Sequence, residues 1–372
     1  MRGAALVLAA LLVLPLPAGA VTQELPVIYQ SPRALGMGGA DVAIGGEPTA
    51  LFSNPAGLAR MEPGWNTLPL LVTAGLSDRT RSFIDAADEA LDEDTAEEQR
   101  SELAGVVRRF RGDNLHFAGN ALPNASWRGR NWAVSVAWLE SVTFNARTHQ
   151  AFGDAGLISI DARRLRGPVA GVTHFSGPWA VGVSAKSLRM DRLRESYSVR
   201  ELVDITEAGD SITDDANSGR ATGFDVGVQY DLAPGYRWRP RLGAVVQNLG
   251  GMDFGDAGEI PRTVSLGLAI EPPAPRTARL RLAVEYFDIF REAGADTDHM
   301  KRIRVGAEWW PWDRRRHALA LRAGVYQGAY TAGVDLRVRG LRLGLATYAE
   351  EQGAYAGQDR DRRYLLTVGL GL

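Results

Sequence analysis

The stretch Tyr364-Leu365-Leu366-Thr367-Val368-Gly369-Leu370-Gly371-Leu372 decides how the rest of the chain is read. Tyr364, Leu366, Val368, Leu370 and Leu372 share one face of an extended chain, and Leu365, Thr367, Gly369 and Gly371 the other. Successive strand side chains point to opposite sides, so this period of two marks a strand. The same alternation recurs upstream, in Arg302–Trp309 and in Thr331–Arg339. There one face is apolar and the other carries charge. Arg281, Glu285, Arg302, Arg304, Glu308, Arg322, Asp335, Arg337 and Arg342 all fall on the charged faces. Burying so many ions in a dry core is prohibitive unless every one is paired. A sheet closed in a membrane puts lipid against the apolar face and leaves the charges to line a lumen. The fold class is therefore all-β: a transmembrane antiparallel β-barrel.

Fourteen candidate strands follow, centred near Val72, Ala121, Val136, Val169, Val183, Val226, Val245, Leu266, Val284, Val305, Leu321, Val334, Leu345 and Val368. Short connections alternate with long ones, as in barrels with tight periplasmic turns and longer outer loops. The expected periplasmic turns are 128–130, 176–178, 233–238, 272–276, 311–316 and 339–340. The expected outer loops are 78–113, 148–156, 190–220, 250–261, 290–300, the neighbourhood of Gly328, and 350–362. Trp127, Trp132, Trp179, Trp238, Trp309, Trp310 and Trp312 all flank predicted periplasmic turns, the place of an aromatic girdle. The competing reading is a soluble β-sandwich whose tryptophans edge the core.

Composition agrees. Lys and Arg number 42, Asp and Glu 44, so no basic field points to nucleic acid. There is no cysteine, and stability must come from burial or from lipid. Residues 1–20 read as a secretory signal: Arg2, an apolar run from Ala4 to Leu16, then Ala18-Gly19-Ala20. No later stretch approaches the 18 or so apolar residues a membrane helix needs. Residues 21–63 precede the first strand, and residues 64–372 form the barrel domain.

One segment, 78–112, lacks period two. Ile84, Ala87 and Leu91 share a helical face, as do Leu103, Val107 and Phe110. Thr95 and Glu98 form a capping box between the halves. A helical hairpin is expected, either a lid over the lumen or a solvated loop.

Ser31 to Met61 is dense in glycine: SPRALGMGGADVAIGGEPTALFSNPAGLARM. Gly36, Gly38 and Gly39 permit tight backbone approach, so the segment fits inside a barrel end as a hatch or plug. Asn54-Pro55 favours a turn. The pattern Arg33-Ala34-Leu35-Gly36-Met37-Gly38-Gly39-Ala40 followed by Asn54-Pro55-Ala56-Gly57-Leu58-Ala59 resembles the N-terminal signature of an outer-membrane barrel superfamily. That superfamily holds FadL-type transporters, PorV-type secretion barrels and TraF-like exported proteins. Residues 243–251, 261–267 and 348–363 look closest to the PorV and TraF-like branches. The resemblance implies a barrel of about fourteen strands with an N-terminal hatch, and places Asn54, Pro55 and Ala56 in that hatch. The alternative is that these three only shape the entry into the first strand. Such barrels usually end in an aromatic residue, and this chain ends in Leu372.

Catalytic chemistry is thin. Five histidines are scattered outside any zinc spacing, and no phosphate loop or nucleophile elbow occurs. Asp214-Asp215 and Asp296-Thr297-Asp298 read as solvated loop acids rather than calcium ligands. His174 and Ser176 share a strand face, as in outer-membrane phospholipases, but Ser176 runs into a turn and no third group is evident. No enzyme activity, cofactor or metal is expected. The expected setting is the outer membrane, with lipid around the barrel and the barrel-assembly machinery as a partner during insertion. Two functions remain open. One is a FadL/PorV-like channel for passive passage of hydrophobic or amphipathic molecules. The other is a docking component of a secretion or envelope-assembly system, with secretion-system proteins as partners.

Overall fold

The computed structural model describes residues 24–91, 95–149, 157–198, 216–275, 277–294, 297–314 and 317–371. Residues 1–20, expected to be a secretory signal, and Asp214, Asp215, Asp296 and Leu372 lie outside them. The chain builds one antiparallel sheet that closes on itself. Its strands are β1 (Gly64–Leu68 and Leu70–Ser77), β2 (Asn114–Ala121 and Asn124–Arg128), β3 (Trp132–His149), β4 (Leu157–Ser176), β5 (Trp179–Ser198), β6 (Asn217–Asp231) and β7 (Arg241–Gln247). They continue as β8 (Thr263–Ile270), β9 (Arg279–Tyr286), β10 (Ile303–Arg314), β11 (His317–Tyr326), β12 (Ala329–Val338), β13 (Leu341–Glu351) and β14 (Arg360–Leu370). Sixteen hydrogen-bonded segments make fourteen barrel strands, because β1 and β2 are each broken once. Each strand pairs with its neighbours in sequence, and β14 pairs back onto β1 through Val368↔Val72. All fourteen strand centres named from the sequence fall inside these strands or, for Ala121, at a segment end.

Closure leaves no free edge, so the ladder groups are satisfied within the sheet except at local breaks. The breaks fall where proline cannot donate. The β1–β2 ladder shifts by one residue across Pro69, from Leu68↔Asn124 to Val72↔Ala121. The polarity is inside-out. Val134, Val136, Val183, Val226, Leu266, Val284, Leu345 and Leu366 are exposed on the outer face. Ser135, Thr173, Lys186, Asp225, Glu285, Glu308 and Asp335 are buried inside. That arrangement is costly in water and favourable in hydrocarbon.

Three local expectations need correction. Trp310 does not join the aromatic girdle. The β10–β11 register shifts between Trp309 and Trp312, so both of those stay outside while Trp310 turns inward and is 2% exposed. For the same reason Pro311 lies within β10 rather than in a turn. The segment 190–220 is not all loop either. β5 runs to Ser198 and β6 begins at Asn217. Its charges look loop-like one by one, but they pair across strands, as in Arg192–Asp161 at 2.6 Å.

The insert forms α3 (Asp78–Leu91) and α4 (Ala96–Arg109), numbered after two short helices of the interior, α1 (Pro32–Gly36) and α2 (Ala50–Ser53). Thr95 caps α4, its hydroxyl accepting from the Glu98 amide at 3.2 Å. The hairpin's apolar side uses Phe83 and Ala90, while Ile84 is exposed. Phe83 wins because it packs edge-on against Phe110, centroids 5.5 Å apart. Val107 and Phe83 rest on Leu115, Ala146, Ile158 and Ile160, which point away from the lumen. The hairpin therefore leans on the outside of the barrel rim, and its apolar side does not face the lumen.

Candidate functional site

The interior is filled by residues 24–61. Ser31 starts α1, its hydroxyl accepting from the Ala34 amide at 3.1 Å, with Pro32 as the first helical residue. Asn54 starts a 3-10 turn over Pro55–Arg60 in the same way, its Oδ1 accepting from the Ala56 amide at 3.1 Å. These caps let a short, glycine-rich segment hold shape without long elements of its own.

Packing against the wall is backbone to backbone. Gly38 has φ +66°, and a Cβ there would sit 2.3 Å from the Val305 carbonyl oxygen. Gly306 on β10 and Gly324 on β11 face the Met37–Gly38 peptide just as closely. Thr331 on β12 donates to the Gly36 carbonyl at 3.0 Å and accepts from the Gly38 amide at 2.9 Å. On the opposite wall, Asn54 Nδ2 donates to the Val42 carbonyl at 2.9 Å, and its Oδ1 occupies the space a side chain on Gly227 would need. Thr173 on β4 donates to the Pro55 carbonyl at 2.6 Å. The two halves of the Arg33–Ala59 signature thus touch opposite sides of the barrel.

Ion pairs lock the contact. Arg33 clamps Glu308 with two bonds, from Nε at 2.8 Å and from a terminal nitrogen at 2.9 Å. Arg322 and Arg281 donate to the same carboxylate at 2.9 and 3.3 Å. Glu285 accepts from the amides of Asp41 and Val42 at 2.9 and 3.0 Å and from Arg304 at 3.0 Å. Arg342 joins Glu47 at 3.1 Å to Asp335 at 2.8 Å. Arg337 lies over the Trp310 ring, 4.4 Å from its centroid, and Arg302 is wholly buried, donating to the Asp298 carbonyl at 3.1 Å. Within the segment, burial pushes the Asp41 carboxyl up to about 6 against the pull of Arg33. Burial would raise Glu47 as well, but Arg342 and Arg33 overcome it and hold that carboxyl at about 2.

Space remains above and below. Towards the end with the helical hairpin lies a vestibule of about 320 Å³, where Leu25, Val27 and Leu365 mix with Arg163 and Arg363. At the other end lies one of about 620 Å³, bordered by Glu47, Glu62, Trp65 and Arg342. Two small spaces of about 40 and 20 Å³ meet at Tyr29, Ser31 and Thr49. The first shares Val27, Tyr29 and Gln30 with the upper vestibule, and the second shares Glu47 and Arg342 with the lower. The four spaces thus follow one another along the segment, and the smallest has room for about one water.

Of the nine charged residues named from alternation, Arg281, Glu285, Arg304, Glu308, Arg322, Asp335 and Arg342 bind this segment or one another rather than facing an open water column, while Arg302 is held by Asp298 and Arg337 by the Trp310 ring. Gly36, Gly38, Gly39, Asn54, Pro55 and Ala56 all lie at its contacts with the wall. Sequence reading did not single out their counterparts: Arg33, Asp41 and Glu47 as ions, and Gly306, Gly324 and Gly227 as the seats. The charges stood out as isolated ions in an apolar stretch. The wall glycines carried no signal beyond their number. His174 faces outward against Trp132, ring centroids 4.5 Å apart, and makes no hydrogen bond among the described residues.

No protein-family model matches the chain, and no curated protein matches it. Solved structures do. The toluene transporter TbuX of Ralstonia pickettii aligns over 93% of this chain and 98% of its own, at 12% identity and a TM-score of 0.54. A deltaS2S3 mutant of the monoaromatic hydrocarbon channel TodX aligns over 92% and 98%, at 12% identity and 0.56. A deltaS2 mutant of TodX covers 92% and 97%, at 12% and 0.50. Placement nearer the PorV and TraF-like branches gains no support from these neighbours. At such identities the likeness carries the architecture alone: the chain folds as a closed fourteen-stranded barrel similar to these.

Proposed function

We propose that this protein is an outer-membrane channel through which small hydrophobic or amphipathic molecules diffuse, with residues 24–61 as the gate. The observation that carries the reading is the row of spaces along the segment, past Tyr29, Arg33 and Glu47, from one vestibule to the other. The apolar outer band supports a membrane setting, with lipid around the barrel and the assembly machinery as the route of insertion. The neighbours TbuX and TodX are a toluene transporter and a monoaromatic hydrocarbon channel. The mixed lining of the upper vestibule favours amphipathic cargo over a pure hydrocarbon, since its arginines leave room for a polar head. Passage requires the gate to shift, because the spaces beside it at rest hold about 20 and 40 Å³, too little for such a molecule.

The test exploits the absence of native cysteine. A Cβ on Gly267 would lie 3.4 Å from the Ala43 Cβ, so the pair Ala43→Cys and Gly267→Cys can tie the gate to β8. Uptake of radiolabelled toluene and octanoate is measured in intact cells. Oxidised, the variant is expected to match cells lacking the protein, and reduction is expected to restore uptake. Uptake by the oxidised variant equal to wild type would rule the gate out.

A further inference from the structure

The outer surface carries a charged belt where apolar side chains end. Glu140 on β3 is opposite Arg166 on β4, Arg166 is opposite Arg189 on β5, and Arg189 is opposite Arg220 on β6. One step further along, Arg164 is opposite Asp191. These residues share the outward parity of Val134, Val136 and Trp138. The row lies eight to ten positions from the tryptophans at the other rim, from 132 to 140 and from 179 to 189. At ~3.3 Å per residue and a tilt of ~40°, that is roughly 20–25 Å of height, the span of the apolar band. The row therefore sits at the boundary nearer the helical hairpin, the level of the outer-leaflet headgroups.

Four arginines meet two carboxylates here. Arg164 pairs with Glu140, and Arg189 and Arg166 share Asp191 at 2.8 and 3.5 Å. Arg220 is exposed and has no ion pair among the described residues. The wall is dented beside them. Pairing between β4 and β5 lapses at Gly167 and Pro168. Gly167 has φ +151°, and a Cβ there would lie 2.1 Å from the Ser187 carbonyl oxygen. The dent is a hollow of about 410 Å³, bordered by Trp138, Pro168 and Ser187 below and by Arg166, Arg189 and Arg220 above.

We infer that this hollow is a binding site for a phosphorylated glycolipid of the outer leaflet. The phosphate would sit among Arg166, Arg189 and Arg220, and an acyl chain would run down past Trp138 and Pro168. Excess positive charge, planar donors suited to phosphate, and an adjoining apolar wall identify that ligand. The inference rests on the barrel spanning the outer membrane as proposed above, but not on what passes through it.

The experiment uses the purified barrel in detergent, with native mass spectrometry and thermal melts as readouts. The probes are bis-phosphorylated lipid A, its dephosphorylated form and inorganic phosphate. Lipid A is expected to bind and to raise the melting temperature, the dephosphorylated form to do so far more weakly. Arg166→Gln/Arg189→Gln/Arg220→Gln is expected to lose affinity by roughly a hundredfold, at about 1 kcal/mol per arginine. A control with Arg237→Gln and Arg239→Gln, exposed at the other rim, is expected to bind as wild type. Heat-dependent migration in gels checks that each variant keeps its barrel. Equal binding of both lipid forms, or unchanged binding by the triple variant, would overturn the site. Inorganic phosphate competing as well as lipid A would also overturn it, in favour of a free-anion site. A barrel absent from the outer-membrane fraction would instead sink the membrane reading.

Discussion

Replacing Glu308 by Gln is the sharpest probe of how the interior segment is held. The side chain is fully buried and accepts four hydrogen bonds from three guanidinium groups: two from Arg33 and one each from Arg322 and Arg281. Glutamine keeps the volume and removes the charge. Three cations then crowd a neutral amide, with Glu47 (4.0 Å) and Asp41 (3.8 Å) the nearest acids to Arg33. Breaking a buried pair in this way costs about 3–5 kcal/mol. If that cost falls on the seated state, the ratio of unseated to seated segment rises by roughly 10²–10³-fold. The readout is a single cysteine placed at Ala40, which is 1% exposed when the segment is seated. Its labelling by a membrane-impermeant maleimide should accelerate by that factor in the Glu308→Gln background. Arg33→Met, alone and combined with Glu308→Gln, completes a cycle that isolates the clamp. An acceleration below about threefold, under 1 kcal/mol, in a barrel that still migrates as folded would refute the idea that this carboxylate seats the segment.

Further outcomes follow from the same contacts. Gly38→Ala combines a left-handed backbone with a Cβ 2.3 Å from the Val305 carbonyl, and should raise labelling at Ala40→Cys by an amount matching about 1–3 kcal/mol. Asn54→Ala removes a buried cap and the bond to Val42, and should cost about 1–3 kcal/mol, seen as earlier protease cutting within 45–60 while the barrel melts unchanged. Seating should tighten on acidification. Asp41 titrates near 6 when seated, above its ordinary 3.8, so its contribution is full below 3.8 and is lost as pH rises through 6. Glu47, held near 2, keeps its charge throughout that range. Labelling, normalised at each pH to a freely exposed cysteine so that loss of thiolate cancels, should therefore slow by about tenfold from pH 7.5 to pH 5, roughly 1.4 kcal/mol. Val107→Asp should detach the helical hairpin from Leu115 and Ala146, giving early proteolysis in 78–112 with an unchanged barrel melt.

Much of the wall was legible before any coordinates. Period two in 302–309, 331–338 and 364–371 placed lipid-facing and inward residues on their proper sides, because a strand's parity is fixed locally. The same parity failed at Trp310, where a bulge inserts a residue, and nothing in Trp309-Trp310-Pro311-Trp312 says which tryptophan turns in. It failed for the hairpin too, since Ile84 and Phe83 offer equally plausible apolar faces until Phe110 and the rim of β2–β4 arrive. The interior segment stood out by its glycines, but its seats did not. Gly306, Gly324 and Gly227 lie some 170–290 positions away from the residues they touch.

The sequence by itself determined a closed sheet with apolar outer and charged inner faces, fourteen strands, and a segment before them able to pack tightly. Those features depend on spacing between neighbours along the chain, so local chemistry is enough to set them. Only the tertiary structure decided that Arg33 meets Glu308, that Asn54 meets Gly227, and that the segment fills the lumen down to water-sized spaces. Those depend on which strands face each other across the barrel once it closes, and the distance between two points on a ring is not written in the chain that forms it.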